Sequence, residues 1–373
     1  RKQRKRDYGG LKNMTIIIFL ITLSILVLVH EFGHFLMAKK MGVRVEEFGL
    51  GLPPRLFGIK KGETLYSINL LPIGGFVKLF GEEYDELDGR GKARLALDKN
   101  RAFVNKKPWQ KTLIVLGGVI GNFLLGWVIF SYLVTQGIPV PTNKVIVEKV
   151  TKNSPASIAG LQEKDVITKL IFENSSINLT SADILIKETK KSAGKNIGLS
   201  VQRNGKQLTV NLVPRVNPPK GEGPLGISIT SFIEKKYPWY SAPFYGLVEA
   251  FNITYKIASE LGKMLFSLVT FQKQNVDVAG PVGIANLASQ AVKFGKNAFL
   301  QFLALLSLNL AIMNILPFPA LDGGRLVFVL YEGFTKKKPN KNFEKYTNLI
   351  GFVALLSLAA LITVNDIVKL FKK

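Results

Sequence analysis

The chain has 373 residues and a formal net charge of +24, from 50 Lys and Arg against 26 Asp and Glu, yet 47% of its residues are hydrophobic. The absence of cysteine excludes a disulfide framework, Cys-ligated zinc, iron–sulfur clusters and thiol catalysis. The hydrophobic residues gather in long uncharged blocks instead of alternating with the charges. This pattern favours a membrane protein with basic flanks over a basic nucleic-acid binder, so we expect no nucleic-acid partner.

The first uncharged block covers residues 13–29, and apolar residues continue from there to Lys39 and Lys40. This length is enough to span a bilayer. A cleavable signal peptide is the alternative, but no small-residue cleavage site follows, so we interpret the block as a retained helix. Residues 1–13 form a basic N-terminal tail, which we expect to precede the natural start.

The end of this first span carries the sequence His30-Glu31-Phe32-Gly33-His34, an H-E-x-x-H motif. The i, i+4 spacing places both imidazoles on one helix face, where they can share a metal ion, with Glu31 placed to take a proton from the attacking water. These are the only two histidines in the chain, and an ionisable residue in an apolar helix is costly without a functional partner. Two interfacial histidines beside a structural glutamate are the alternative.

Residues 39–111 have mixed polarity. Within them, residues 66–80 predict a strand, a turn at Gly74 and Gly75, and a second strand, which together form a β-hairpin. A second uncharged run, residues 112–142, contains Gly117, Gly118, Gly121 and Gly126, small residues that would let transmembrane helices approach closely. It predicts the second span and completes a first membrane half over residues 14–142.

Residues 143–230 have short β-branched runs and ordinary polarity, which predict a soluble β-rich domain. The segment from Ser154 to Ile167 is similar to the S-P-A-x-x-A-G-L-x-x-G-D-x-I signature of PDZ domains, with Lys164 at a position where glycine is usual. PDZ domains bind peptides by adding them as a strand to a sheet edge. A PDZ-like domain could also act as a steric size filter, and a purely structural β-domain is a further alternative.

The remaining chain alternates between amphipathic and apolar segments. Residues 231–296 predict an interfacial amphipathic helix and a linker, because four charged residues between 249 and 263 fall within one narrow arc of a helix. Residues 297–373 predict a second membrane half with two more uncharged spans. The predicted fold class is therefore an α-helical polytopic membrane protein with four transmembrane helices, an inserted β-rich PDZ-like domain and a membrane-associated β-hairpin.

A catalytic zinc ion needs a third protein ligand beside the two histidines. Because the chain has no third histidine and no cysteine, this ligand must be a carboxylate. Between Asp277 and Glu332 the sole acidic residue is Asp322, which follows two helix-breaking prolines at the end of the third span. The alternative is that Asp322 initiates a turn before the next two glycines.

These motifs resemble those of the bacterial site-2 proteases, a family of intramembrane zinc metalloproteases that perform regulated intramembrane proteolysis. Besides H-E-F-G-H, the chain has Asn314-x-x-Pro-x-Pro-x-Leu-Asp322-Gly, which is similar to the second motif of the family, and a similar Gly-Pro-Val-Gly-Ile segment at 280–284. The resemblance implies one zinc ion bound by His30, His34 and Asp322. It also implies Glu31 as the general base and Asn314 as a substrate contact.

The resemblance further places a membrane-associated β-loop at residues 73–80, where Gly75, Phe76 and Val77 would pair with an extended substrate. An ordinary surface hairpin is the alternative. The implied partners are the lipid bilayer and membrane-protein substrates with a transmembrane helix, such as anti-sigma factors or signal-peptide remnants. The PDZ-like domain would add peptide or steric contact.

The charge distribution suggests an orientation. Residues 39–111 and 325–346, which four spans place on one side, contain 21 Lys and Arg; the positive-inside rule assigns them to the cytoplasm. We therefore expect a multi-pass protein of the inner (plasma) membrane, with the active site toward the cytoplasm and the PDZ-like domain outside it. The basic residues of 1–13 argue against this orientation. The functional alternatives are a non-enzymatic membrane scaffold and a cation transporter.

Overall fold

The structure is a computed structural model that describes residues 2–82, 98–173, 175–219, 221–270 and 280–371. The chain forms two compact units. One unit combines Arg1–Val134 with Pro238–Lys373, and the other is Thr135–Tyr237. Residues 271–279 of the predicted linker lie outside the described residues.

The first unit begins with helix α1, Lys2–Lys40, so the predicted basic tail continues into the helix from Lys2 onward. Two strands follow, β1, Val45–Lys61, and β2, Thr64–Leu79. After two short 3₁₀ turns, helix α2 spans Pro108–Gln136. Proline is well suited to the first position of α2 because its missing N–H would have had no partner within the helix.

Strands β1 and β2 form a sheet with an unexpected pairing. Residues 45–50 of β1 pair with residues 75–79 of β2 on one side and with residues 65–68 on the other. The prediction of a hairpin over 66–80 is therefore wrong in its pairing, because the two halves of β2 flank β1 and do not pair with each other. The connection between β1 and β2 is at Gly62, whose φ of 65° suits a tight turn.

The edge of this sheet is formed by residues 75–79. Among the described residues they pair with β1 alone, so their other side is an open strand edge. The backbone N–H of Leu79 donates to Glu82 and not to β1. Because residues two apart on a strand point the same way, the N–H of Val77 also faces the open edge.

The second unit is a β-rich domain whose strands are β3 Ile138–Val150, β4 Val166–Ile171, β5 Ser176–Asn178, β6 Ile197–Arg203, β7 Lys206–Leu212 and β8 Ile227–Lys235. The strand order is β7-β6-β4-β3-β8, and β5 pairs with β4. Its buried core is made of aliphatic side chains, including Val145, Leu170 and Leu199 from the sheet and Leu185 from a helix. Its helices are α3 Pro155–Ile158 and α4 Ala182–Lys191.

The segment that resembles the PDZ signature forms the start of α3 and the turn before β4. The side chain of Ser154 caps α3 by accepting the N–H of Ser157. Lys164 has a φ of 71°, a left-handed conformation that favours glycine. The lysine therefore occupies a backbone position that glycine would adopt with less strain.

Five more helices belong to the first unit in the part of the chain that the structure describes. They are α5 Ala242–Val269, α6 Pro281–Lys293, α7 Lys296–Ile315, α8 Asp322–Thr335 and α9 Lys341–Phe371. The predicted amphipathic segment is α5, which packs along α2, where Trp127 donates its indole N–H to the carbonyl of Pro243. The Gly-Pro-Val-Gly segment begins α6, and Asp366 of α9 accepts the N–H of Gly283 there. An anion at a helix N-terminus is favourable, so this contact fixes α9 against α6.

Four helices in the described residues are long and apolar enough to cross a membrane: Ile17–Lys40 of α1, α2, α7 and Lys341–Lys369 of α9. The predicted number of apolar helices is confirmed. Many large apolar side chains on these helices are exposed, as expected for lipid contact, among them Phe32, Leu36, Leu349, Phe352 and Leu361.

Candidate metal centre

Two helices bring the predicted metal ligands together. His30 and His34 lie one turn apart on α1, and Asp322 is the first residue of α8. The Nε2 atoms of the two histidines are 3.2 Å apart. Oδ2 of Asp322 lies 3.0 Å from Nε2 of His30 and 3.2 Å from Nε2 of His34. The three atoms thus form a nearly equilateral triangle.

The triangle fits a tetrahedral zinc ion. Zinc bonds of about 2.0–2.2 Å place the ligands of a tetrahedral ion about 3.3–3.6 Å apart, close to the separations found here. Asp322 Oδ2 is buried and forms no hydrogen bond among the described residues. Three electron-pair donors that face one another in a buried position are unfavourable unless a metal ion or a proton lies between them. The donor set and its geometry therefore fit the metal.

Helix α2 packs directly against the two histidines. A Cβ on Gly33 of α1 would lie 2.0 Å from the carbonyl oxygen of Gly117, so the two helix backbones touch at these glycines. A Cβ on Gly118 would lie 2.4 Å from Nε2 of His34 and 2.5 Å from Cε1 of His30. The glycines in the second uncharged run therefore do more than permit helix packing, since Gly118 leaves the space that both imidazole rings occupy.

Polar groups outside the triangle contact the other side of each imidazole. Nδ1 of His34 is 2.8 Å from the carbonyl oxygen of Ile114. Nδ1 of His30 is 3.2 Å from the side-chain amide of Asn122. The predicted substrate contact, Asn314 on α7, has its amide nitrogen 3.4 Å from Nε2 of His30.

The triangle opens into a cavity of about 130 Å³. Its lining includes Glu31, together with Val77 and Leu79 from the edge of the sheet. A Cβ on Gly75 would lie 3.5 Å from Cγ of Glu31, so the strand passes beside the predicted general base. Of the three residues predicted to pair with substrate, Val77 lines this cavity and Gly75 lies beside Glu31. The ring of Phe76 instead packs over Gly49 of β1.

The sequence interpretation missed three residues at this site. Arg325 forms an ion pair with Glu82, and both line the 130 Å³ cavity and a neighbouring cavity of about 530 Å³. Asn122 is fully buried in the middle of α2. A side-chain amide within an uncharged span is a detectable sequence feature, because burial of an amide is costly unless it is hydrogen-bonded. For Glu82 and Arg325 the sequence offered no comparable indication, since both lie among other charges.

The fold and this centre define a class of protein. The family model described as Peptidase family M50 matches residues 18–358, and the chain belongs to this family. The chain is accordingly a membrane protein and a zinc metalloprotease of the site-2 type, which cleaves within the membrane in regulated intramembrane proteolysis.

Individual relatives agree with this assignment. A Clostridium perfringens chain assigned by name to the zinc metalloproteases is 36% identical over 356 residues, which cover 95% of this chain and 99% of the relative. The regulator of sigma-W protease RasP of Bacillus subtilis is 30% identical, and the match covers 96% of this chain and 99% of the relative.

Among solved structures, the PDZ domain of an SdrC-like protein from Listeria monocytogenes matches 25% of this chain and 94% of that domain, with 19% identity and a TM-score of 0.21.

Proposed function

We propose that His30, His34 and Asp322 bind a single zinc ion and that Glu31 is the general base of peptide hydrolysis. The observation that carries this proposal is the convergence of the three ligand atoms within 4.8 Å of one another beside Glu31. Zinc in such a site polarises the scissile carbonyl and makes water nucleophilic near neutral pH. Glu31 then accepts a proton from the attacking water and delivers it to the leaving amine.

We propose that the open strand edge at 75–79 binds the substrate in an extended conformation. A transmembrane helix must be unwound before a protease can reach its peptide bonds, because its N–H and C=O groups are paired within the helix. Three features support the edge as the partner. Gly75 lies beside Glu31, Val77 lines the cavity, and the N–H of Val77 faces the open side. Asn314, next to His30, would contact the substrate near the scissile bond.

The proposed orientation places the active site toward the cytoplasmic side of the inner membrane. The charge of residues 39–111 and 325–346 supports this orientation. The β-rich unit would then be extracytoplasmic. Its PDZ-like signature and its antiparallel sheet support a role in substrate selection, by peptide contact or as a size filter. Substrates would be membrane proteins, and the name of the Bacillus subtilis relative points to regulators of sigma factors such as anti-sigma proteins.

Cleavage of a model substrate by the full-length chain in liposomes tests the proposal. Glu31→Gln should reduce cleavage by several orders of magnitude while zinc content persists, because the variant keeps all three ligands. Glu260→Gln, at an exposed position on α5, is the matched control and should cleave normally. Normal turnover by Glu31→Gln would reject the role of Glu31. A scaffold would not need Glu31, and a transporter would carry zinc into the liposomes.

A further inference from the structure

We propose that Asn122 is a positioning residue that holds His30 in the orientation and tautomer that zinc binding requires. The inference rests on the zinc site proposed above. Nε2 of His30 faces the triangle, 3.0 Å from Asp322 and 3.2 Å from His34. A neutral imidazole that binds a metal through Nε2 has its proton on Nδ1, and this N–H needs an acceptor when it is buried. His34 has such an acceptor in the carbonyl of Ile114.

The side chain of Asn122 is placed to serve His30 in the same way, and it lies nearer to Nδ1 than the amide of Asn314, which is 3.5 Å away. Asn122 is fully buried, and its amide nitrogen is 3.2 Å from Nδ1 of His30. Its other amide atom, Oδ1, has no hydrogen-bond partner among the described residues. A half-turn of the amide exchanges the two atoms and brings Oδ1 to the His30 N–H. An asparagine can therefore donate to Nδ1 in the metal-free protein and accept from it once zinc is bound.

The backbone of Asn122 contacts the third span. The hydroxyl of Ser307 on α7 donates to the backbone carbonyl of Asn122 at 2.7 Å, so α2 is tied to the third span at this residue. Ile114, Gly118 and Asn122 are spaced by four and lie on one face of α2. This face contacts both imidazoles: it offers an acceptor to His34, open space to both rings and an amide to His30.

The zinc affinity of the purified full-length chain, measured by competition with a chromophoric chelator, tests the inference. Asn122→Leu keeps a similar volume but removes the acceptor, and zinc affinity should fall about 10–100-fold. Asn122→Asp keeps an acceptor for the His30 N–H, and its affinity should stay within about threefold of that of the wild type or exceed it. Ser307→Ala is the matched control, because it removes a bond to the same residue but leaves the amide, and its affinity should be unchanged.

A purely structural role for Asn122 predicts the opposite order, since aspartate adds a buried charge and should then be at least as harmful as leucine. Unchanged affinity in Asn122→Leu, or an equal loss in Asn122→Leu and Asn122→Asp, would overturn the inference. The visible spectrum of the Co²⁺-loaded protein provides a second readout, and it should change in Asn122→Leu but not in Ser307→Ala. If the wild type itself binds no zinc, or if Asp322→Ala binds it normally, the proposed zinc site fails instead.

Discussion

Gly118→Ala is the substitution that most directly tests the packing of α2 on the two proposed histidine ligands. The new methyl carbon would lie 2.4 Å from Nε2 of His34 and 2.5 Å from Cε1 of His30. Carbon atoms in contact are about 3.5–4.0 Å apart, so each ring must move by about 1 Å. Metal–ligand distances in a functional site tolerate changes of only about 0.2 Å. The substitution should therefore impair zinc binding.

The effect on stability should be much smaller. Overpacking of a core typically costs about 1–3 kcal/mol, whereas replacing glycine by alanine inside a helix contributes about 1 kcal/mol in favour of the fold. The net loss in the free energy of unfolding should be about 2 kcal/mol or less. We expect the zinc affinity to fall at least tenfold, so the two measurements separate a damaged site from a damaged fold.

The assay compares zinc affinity by chelator competition with thermal unfolding of the metal-free protein in detergent. Gly126→Ala is a control in the same helix, because the atoms nearest to its methyl belong to the side chain of Leu308, 2.6 Å away at Cδ2, and not to a histidine. Zinc binding should persist in this variant. Gly262→Ala is a second control, since no atom lies within 4 Å of its new methyl, and it should be neutral or stabilising. Wild-type zinc affinity in Gly118→Ala would refute the reasoning.

Three further predictions concern other parts of the chain. Lys164→Gly should stabilise the β-rich unit by about 1 kcal/mol, because glycine adopts the φ of 71° at this position without strain; a lower unfolding temperature would contradict this. Burial raises the pKa of Asp165, but hydrogen bonds from Arg203 and a backbone N–H outweigh it and hold the pKa below its usual range. The resulting stability is present above the unfolded-state pKa of about 3.9 and is lost as the pH falls toward the folded value. Asp165→Asn should therefore reduce the dependence of the unfolding temperature on pH in acid, and an unaltered acid dependence would argue against this pair. Val77→Pro removes the N–H that faces the open edge and should reduce cleavage strongly. The loss should be greater for a stable Leu-rich substrate helix than for a Gly-containing one, and Val77→Ala should have only a mild effect. Equal effects of the two substitutions would reject strand addition.

The proposed ligands could be brought together on paper from the sequence, because the chain has few residues that bind metal. A chain with two histidines and no cysteine can build a three-ligand site only with a carboxylate, and Asp322 was the acidic residue near the third span. The four apolar helices were likewise evident as uncharged runs, because few soluble elements avoid charge over 18 residues or more.

The contacts that shape the site could not be predicted, because they depend on how distant segments meet. Gly118 and Asn122 lie about 90 residues from His30 in sequence, and their role follows from the crossing of α1 and α2. The pairing of β2 was mispredicted for a similar reason. The glycine pair at 74–75 predicts a turn when only neighbouring residues are considered. The strand that pairs with residues 75–79 is β1, which lies more than 20 residues earlier in the chain.

The central claim is that His30, His34 and Asp322 hold one zinc ion. Elemental analysis of the purified full-length chain tests it most directly, with thermal unfolding to show that each variant is folded. We predict about one zinc per chain in the wild type and in Glu31→Gln, and almost none in Asp322→Ala, which removes the sole carboxylate in the triangle of ligand atoms. Full zinc occupancy in a folded Asp322→Ala variant would contradict the claim.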